Sequence, residues 1–251
     1  MDILQTLFLG DPVSKYLKTS RELKAGETVV IPTGPHETIT YTSPWRLEGD
    51  YRTGRSANMY KEELFSDQFI RENVNLSKGI FEVRQRSDAS QIIAGGIDGA
   101  FASGKTVLEL GSGQAIALLK FSKDYSNTIF IGIDSGYDKT KTINMKKTGV
   151  QLTNDSWKTL LTIPDQSVDT FLSCNGALTH GIYENDYKPS LKMITTLNRV
   201  AKPGAILRYD TFRGHGTTYD ENTDWKTNLL RENGWNVHFS KGKTNVAIKR
   251  S

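Results

Sequence analysis

The chain has little of what several protein classes require. It holds one cysteine, Cys174, in 251 residues. A single thiol builds neither an internal disulfide nor a cysteine zinc site, and it reads as a small buried hydrophobe. No apolar run approaches the roughly 18 residues of a membrane helix. Met1 to Asp11 carries an acidic second residue and too short an apolar stretch for a signal peptide. A cytoplasmic location with no membrane partner is therefore expected. Histidines number four, and no carboxylate cluster suggests a metal. Internal repeats and low-complexity tracts are missing too. The net charge is +4, with 20 Lys+Arg against 14 Asp+Glu in residues 101–251. That lacks the dense basic face of most nucleic-acid enzymes, so a nucleic-acid partner is not expected. The densest basic group, Lys139, Lys141, Lys146 and Lys147, reads as a solvated helix face.

What the chain does have is an ordinary soluble composition, 37% hydrophobic and 24% charged, and one organising stretch, Thr106 to Ala115, TVLELGSGQA. A short apolar run leads through Glu109 to Gly111-Ser112-Gly113, and Ile116 to Phe121 continues as an apolar helix. Strand, glycine turn and helix start present free N–H groups and a positive dipole end to a ligand. The dinucleotide fingerprint G-x-G-x-x-G/A is incomplete, because its third small residue is replaced by Ile116.

Further along, Ile129 to Ile133 is a β-rich run ending at Asp134. A carboxylate about 20 residues after the glycine turn, closing the second strand, suits the two hydroxyls of a ribose. Val150 to Thr153 gives a third strand, followed by Asp155-Ser156-Trp157. Ile163 to His180, IPDQSVDTFLSCNGALTH, leads into a buried fourth strand. Asn198 to Leu207, NRVAKPGAIL, gives a helix end, a proline-glycine turn and a fifth strand. Strands are expected at 106–110, 129–134, 150–153, 168–174, 205–210, 236–240 and 244–249. The last two are joined by Lys241-Gly242-Lys243, short enough for a hairpin. The alternation predicts an α/β fold with a doubly wound, mostly parallel seven-stranded sheet.

With Glu109 two residues before Gly111, the pattern E-x-G-x-G and the blocks after it resemble the class I, Rossmann-like S-adenosylmethionine-dependent methyltransferases, over roughly Lys105 to Arg250. The resemblance implies an antiparallel last strand inserted beside the fifth and S-adenosyl-L-methionine as cofactor. It assigns Glu109 to the methionine amino group, with a turn-capping carboxylate as the alternative. Gly111, Ser112, Gly113 and Gln114 form the cofactor turn, and Asp134 takes the ribose. Asp155 and Ser156 frame the adenine edge. Trp157 covers the adenine face or packs under a helix. Asn175 lies beside the sulfonium. The Asp/Asn-Pro-Pro-aromatic motif of base amino-methyltransferases is replaced by Asn175-Gly176-Ala177-Leu178, and a glutamate pair for gripping a guanidinium is also missing. A small-molecule acceptor, methylated on nitrogen or oxygen by in-line displacement, is the resulting expectation. The alternatives are an RNA or protein acceptor, or non-methyl chemistry on the same cofactor.

Ahead of this block, residues 1–104 read as an N-terminal extension or lid, and 105–251 as the cofactor domain. Asp11-Pro12 starts a helix, and Val29–Ile31 with Thr38–Thr42 suggests a small hairpin or an extended excursion about the turn Pro32-Thr33-Gly34-Pro35. A loop from Ser43 to Arg55 precedes a helix from Ser56 or Asn58 to about Val74. A second helix is expected from Ala89 to Phe101. Trp45, Tyr51, Arg55 and Tyr60 are the candidates for the acceptor pocket. His180 and His215 follow the fourth and fifth strands, on the edge where such sheets bind ligands, and are the candidate general bases. His36 and His238 read as structural or exposed. Nothing in the sequence speaks to oligomeric state.

Overall fold

Thr106–Leu110 is buried at every position, as a β-branched and leucine-rich strand must be when helices cover both faces of its sheet. The computed structural model describes residues 11–21, 23–24, 26–34, 37–43, 81–84, 90–93, 101–138, 149–173, 178, 187–210, 225–239 and 244–251. In chain order the elements are α1 (Pro12–Thr19), β1 (Thr28–Pro32), β2 (Thr38–Thr42), β3 (Phe81–Arg84), β4 (Ser90–Ile93), β5 (Thr106–Leu110) and α2 (Ile116–Asp124). Then come β6 (Ile129–Ile133), β7 (Gly149–Thr153), β8 (Val168–Ser173), α3 (Tyr187–Val200), β9 (Ala201–Asp210), α4 (Trp225–Glu232), β10 (Trp235–Phe239) and β11 (Thr244–Lys249).

Seven strands form one sheet in the order β10-β11-β9-β8-β5-β6-β7. Strands β7, β6, β5, β8 and β9 run parallel. β11 is inserted antiparallel between β9 and β10. The order reverses between β5 and β8, and the crevice at such a switch point, beyond the carboxyl ends of the strands, is where open α/β sheets bind ligands.

Each face has its own core. On one, α2 contributes Ile116, Ala117, Leu118, Leu119 and Phe121 against Val107, Phe130, Val150, Leu152 and Leu172. Tyr16 of α1, together with Ile31, Ile39 and Tyr41 of the β1–β2 hairpin, belongs to the same cluster. On the other face, Met193, Ile194, Leu197 and Val200 line one side of α3 at helical spacing and meet Leu108, Ile131 and Phe171. Trp235 completes that core with its indole N–H donated to Asn198 Oδ1 at 2.6 Å.

The seven expected strands are all present, six within one residue at each end. β9 begins earlier than expected, at Ala201, which pairs with Val168 before the register shifts to Thr170 opposite Ile206. The strand therefore starts before Pro203-Gly204 and steps around the turn. Asp11 caps α1 with both carboxylate oxygens, accepting from Val13 N and Ser14 N at 3.1 and 3.2 Å, and Pro12 is the first helical residue. The hairpin of β1 and β2 is antiparallel about the expected turn. The helix expected over 89–101 is corrected. Ser90–Ile93 is a strand paired antiparallel with Phe81–Arg84, and Phe101 lies in a turn. Ile92 and Ile93 are β-branched, Gly95-Gly96 disfavours a helix, and the pairing with 81–84 decides it. The expected helix at 56–74, the cluster Lys139, Lys141, Lys146 and Lys147, and Cys174 lie outside the described residues. Among the described residues no helix is long and apolar enough to cross a membrane, and no group of three or more potential metal ligands occurs.

The amino-terminal ends of the strands are stapled by Asp169 in β8. Its carboxylate accepts from Thr106 N at 2.9 Å, Lys202 Nζ at 2.7 Å and Lys105 Nζ at 3.2 Å, tying β8 to β5 and β9. Burial alone would raise its pKa; the Lys202, Thr106 and Lys105 hydrogen bonds outweigh burial and hold it below the ordinary carboxylate value. A carboxyl with a lowered folded-state pKa stabilises the fold above its unfolded pKa of about 4, and that contribution is lost as pH falls through the folded value. Asp169→Ala is expected to cost about 2 kcal/mol at pH 7 and progressively less below about pH 4, as read from urea unfolding at both pH values. A cost that stays constant down to pH 2 would show the staple to be electrostatically idle.

Candidate functional site

The carboxyl ends of β5, β6 and β7 meet above the α2 face of the sheet. From β5 the chain turns through Gly111, Ser112, Gly113, Gln114 and Ala115. Gly111 and Gly113 have φ of 76° and 52°, and Ala115 has φ of 56°. Glycine adopts the left-handed region without strain, which explains both glycines; Ala115 holds it at a cost of roughly 1 kcal/mol. Gly111 N and Ser112 N both donate to Ile133 O, at 2.9 and 3.1 Å, so the turn folds back over the end of β6. Ala115 is the N-cap of α2 and makes no side-chain capping bond. The first turn of α2 therefore keeps its dipole end free of a capping side chain.

Asp134 closes β6. Its Oδ2 accepts from Gly113 N at 2.9 Å and its Oδ1 from Gly136 N at 2.9 Å. One carboxylate thus joins the β5 turn to the β6 loop, and each oxygen retains a second lone pair. From β7, Asn154 Nδ2 donates to Ser135 O at 2.9 Å and Tyr137 O at 2.6 Å. Three consecutive strand ends are cross-linked by side chains of the middle and outer one.

Ser112 is fully buried, with its hydroxyl 2.7 Å from that of Tyr137. Gln114 is also buried, and its side chain is engaged with the N-terminal segment. Tyr16 OH donates to Gln114 O at 3.1 Å and lies 3.3 Å from Gln114 Oε1, while Gln114 Nε2 donates to Arg21 O at 2.8 Å. Tyr137 is wholly buried; burial, then the charge of Asp134, raises its pKa, so its phenol stays neutral. Burial raises that of Tyr16 likewise.

Glu109 is fully buried and stands in register with Gly132 of β6 and Leu172 of β8, and Leu172 stands in register with Arg208 of β9. A buried carboxylate and a buried guanidinium thus occupy one row on the α2 face, with one strand between them. Arg208, Tyr16, Tyr137 and Asn154 are site residues that sequence reasoning missed. Asp155 sits just past β7, where its oxygens accept from Ser156 N at 2.7 Å and Thr162 Oγ1 at 3.1 Å, so it caps the turn that follows. Ser156 Oγ accepts from Lys158 N at 3.2 Å in the same turn. Trp157 packs against the α3-side core, with Lys158 Nζ 5.2 Å above its ring. The structure therefore brings together Glu109, Gly111, Ser112, Gly113, Gln114 and Asp134, and sets Asp155 and Ser156 at the next strand end. Asn175, His180, His215, Trp45, Tyr51, Arg55, Tyr60 and His36 lie outside the described residues. His238 is in β10, paired with Val246.

Gly132 explains the close packing under the turn. A Cβ there would lie 2.6 Å from both Ser112 Oγ and Leu152 Cδ2, and 3.0 Å from Leu118 Cδ1. Gly132→Ala is expected to destabilise the protein by about 1–3 kcal/mol, measured by thermal unfolding, with faster amide exchange at 111–113 than in β10. Wild-type stability in this variant would mean that the turn is not seated on β6 as described.

No protein-family model and no curated protein matches the sequence. Among solved structures, the chain is similar to the antibiotic-resistance methyltransferase Kmr at 14% identity, covering 67% of this chain and 99% of that one, with a TM-score of 0.42. It is similar to a SAM dependent methyltransferase from Aquifex aeolicus at 15% identity, covering 80% and 98%, with a TM-score of 0.44. A third is the 16S rRNA (adenine(1408)-N(1))-methyltransferase from Catenulisporales acidiphilia, at 16% identity, 61% and 91% coverage, and a TM-score of 0.44. The fold itself rests on the sheet: five parallel strands reversing between β5 and β8, with an antiparallel last strand inserted beside β9, form the doubly wound, Rossmann-like arrangement that the sequence resemblance implies.

Proposed function

We propose that this chain is a methyltransferase that binds S-adenosyl-L-methionine at the β5, β6 and β7 strand ends and transfers its methyl group to a small-molecule nitrogen or oxygen. The observation that carries this reading is Asp134: a carboxylate at the end of β6, fixed by Gly113 N and Gly136 N, with lone pairs left for two adjacent hydroxyls. The residues fit the cofactor. Gly111 and Gly113 leave the turn without a Cβ, the start of α2 is uncapped, and Ser112 fills the hollow that Gly132 leaves. Asp134 would hold the ribose, and Glu109 the methionine amino group. Asp155 and Ser156 would frame the adenine edge only by releasing bonds they now make within their own turn, and Asn175 would lie beside the sulfur. When bound, the cofactor supplies a methyl group on a positively charged sulfur, ready for in-line displacement.

The chain's own work is then mainly alignment of donor and acceptor, worth up to about 7–11 kcal/mol in ideal cases. A base is required only where the acceptor must lose a proton early, as a hydroxyl must. His180 and His215 are its candidates, and Trp45, Tyr51, Arg55 and Tyr60 those for the acceptor pocket, in an N-terminal extension taken as residues 1–104. An RNA acceptor is the second reading; the modest excess of Lys+Arg over Asp+Glu in residues 101–251 is compatible with phosphate contacts but is no dense basic face. Incubating the protein and labelled cofactor with cell extract, split into small-molecule, RNA and protein fractions, separates the two.

Calorimetry is expected to give micromolar binding of S-adenosylmethionine or S-adenosylhomocysteine and none of NAD(H); tighter binding of NAD(H) would overturn the reading. Asp134→Ala is expected to weaken that binding about 10- to 100-fold, the loss of a hydrogen bond to a charged group. For the histidines, alignment alone predicts that His180→Ala and His215→Ala retain turnover within about 100-fold. A larger loss with cofactor affinity intact would assign a general base.

A further inference from the structure

We infer that residues 12–43 are a working part of the cofactor cleft, and that the hydroxyls of Tyr16 and Tyr137 are positioning groups holding the 111–115 turn in its ligand-receiving shape. This rests on the methyltransferase reading above. Three of the five turn residues adopt positive φ, and one of those is an alanine. Backbone in such regions persists only where its surroundings over-determine it.

The surroundings here are of two kinds. The sheet supplies Ile133 O for Gly111 N and Ser112 N, and Asp134 for Gly113 N. Further support comes from two tyrosines and a backbone carbonyl of the N-terminal segment. Tyr137 OH meets Ser112 Oγ at 2.7 Å, and Tyr16 OH donates to Gln114 O at 3.1 Å across 98 residues of chain. Arg21 O takes Gln114 Nε2 at 2.8 Å.

Neither tyrosine is free to drift. Tyr16 sits in α1, and α1 is joined to α2 by the ion pair of Asp11 with Lys123 at 3.1 Å. Tyr137 is bridged by its backbone to Tyr41. Thr42 N donates to Gly136 O at 2.8 Å, and Asp138 N to Thr40 O at 2.9 Å. The Tyr41 and Tyr137 rings meet edge to face at 5.4 Å. Gly136 permits this docking, because a Cβ there would lie 2.4 Å from Thr42 O. The N-terminal hairpin therefore fixes the loop that follows Asp134, and α1 fixes the turn that Asp134 grips.

A tyrosine that only filled space would be replaced by phenylalanine without effect on a ligand. The full-length chain carrying Tyr16→Phe, Tyr137→Phe or both is compared with the parent by S-adenosylhomocysteine titration, thermal unfolding, and amide exchange without ligand. Each single variant is expected to bind S-adenosylhomocysteine roughly 5- to 30-fold more weakly, the loss of one buried hydrogen bond. Amides 111–116 are expected to exchange faster, while those of α3 and β10 keep the parent's rates. Parental affinity and exchange in both variants would overturn the proposal. Exchange raised uniformly across the sheet would also overturn it, since that marks general destabilisation. If the parent itself fails to bind S-adenosylhomocysteine, the methyltransferase reading falls. Exchange then decides the positioning claim alone: acceleration confined to 111–116 supports it, and unchanged rates refute it.

Discussion

A single carboxylate sets the geometry of the crevice. Asp134 accepts from Gly113 N on one loop and Gly136 N on another, both at 2.9 Å. Charge-assisted bonds of this kind are short and strong for their class, and both donors are glycine amides, so no side chain stands between carboxylate and backbone. The β5 turn takes its left-handed course over β6 with this anchor at its centre. The β6 loop, held at Gly136, offers its carbonyl to Thr42. Without the carboxylate, two opposed sets of amide dipoles would face an open cleft.

The two ends of the sheet divide their labour. At the amino-terminal ends Asp169 gathers two lysines and a backbone amide, and its charge is consumed by stability. At the carboxyl-terminal ends the charge of Asp134 is only partly spent, the α2 start is uncapped, and three residues hold positive φ. Strain and unspent hydrogen-bonding capacity collect at the second end, the usual situation of a ligand site on a rigid scaffold.

The sheet was legible in the sequence because each strand is a short apolar run between turn residues, and burial on both faces leaves such runs no other use. β5 and β11 were placed to the residue. The glycine turn at Gly111 and Gly113, and the place of Asp134 at the end of β6, were legible through their spacing. The stretch 90–93 was misread because its strand character depends on pairing with 81–84, which nothing in the local sequence announces. Gln114 was read as part of the cofactor turn at the helix start; its side chain is engaged by Tyr16 and Arg21. No pattern within a single sequence links Tyr16 to Gln114 across 98 residues, or marks Tyr137 as the partner of Ser112. Arg208 had no signal either: it sits in a β9 stretch whose alternation shows only an inward position.

The hairpin's docking on the β6 loop carries a consequence for synthesis. Ile31, Ile39 and Tyr41 bury themselves against Tyr137, Phe130 and α2, all encoded about a hundred residues downstream. At a ribosomal rate of about 5–20 residues per second, this apolar hairpin emerges and then waits on the order of 5–20 s for its seat. Contacts of such long sequence separation form late and slow folding. The segment that finishes the cleft is therefore made well before the elements that seat it, and its apolar face is open to aggregation during that interval.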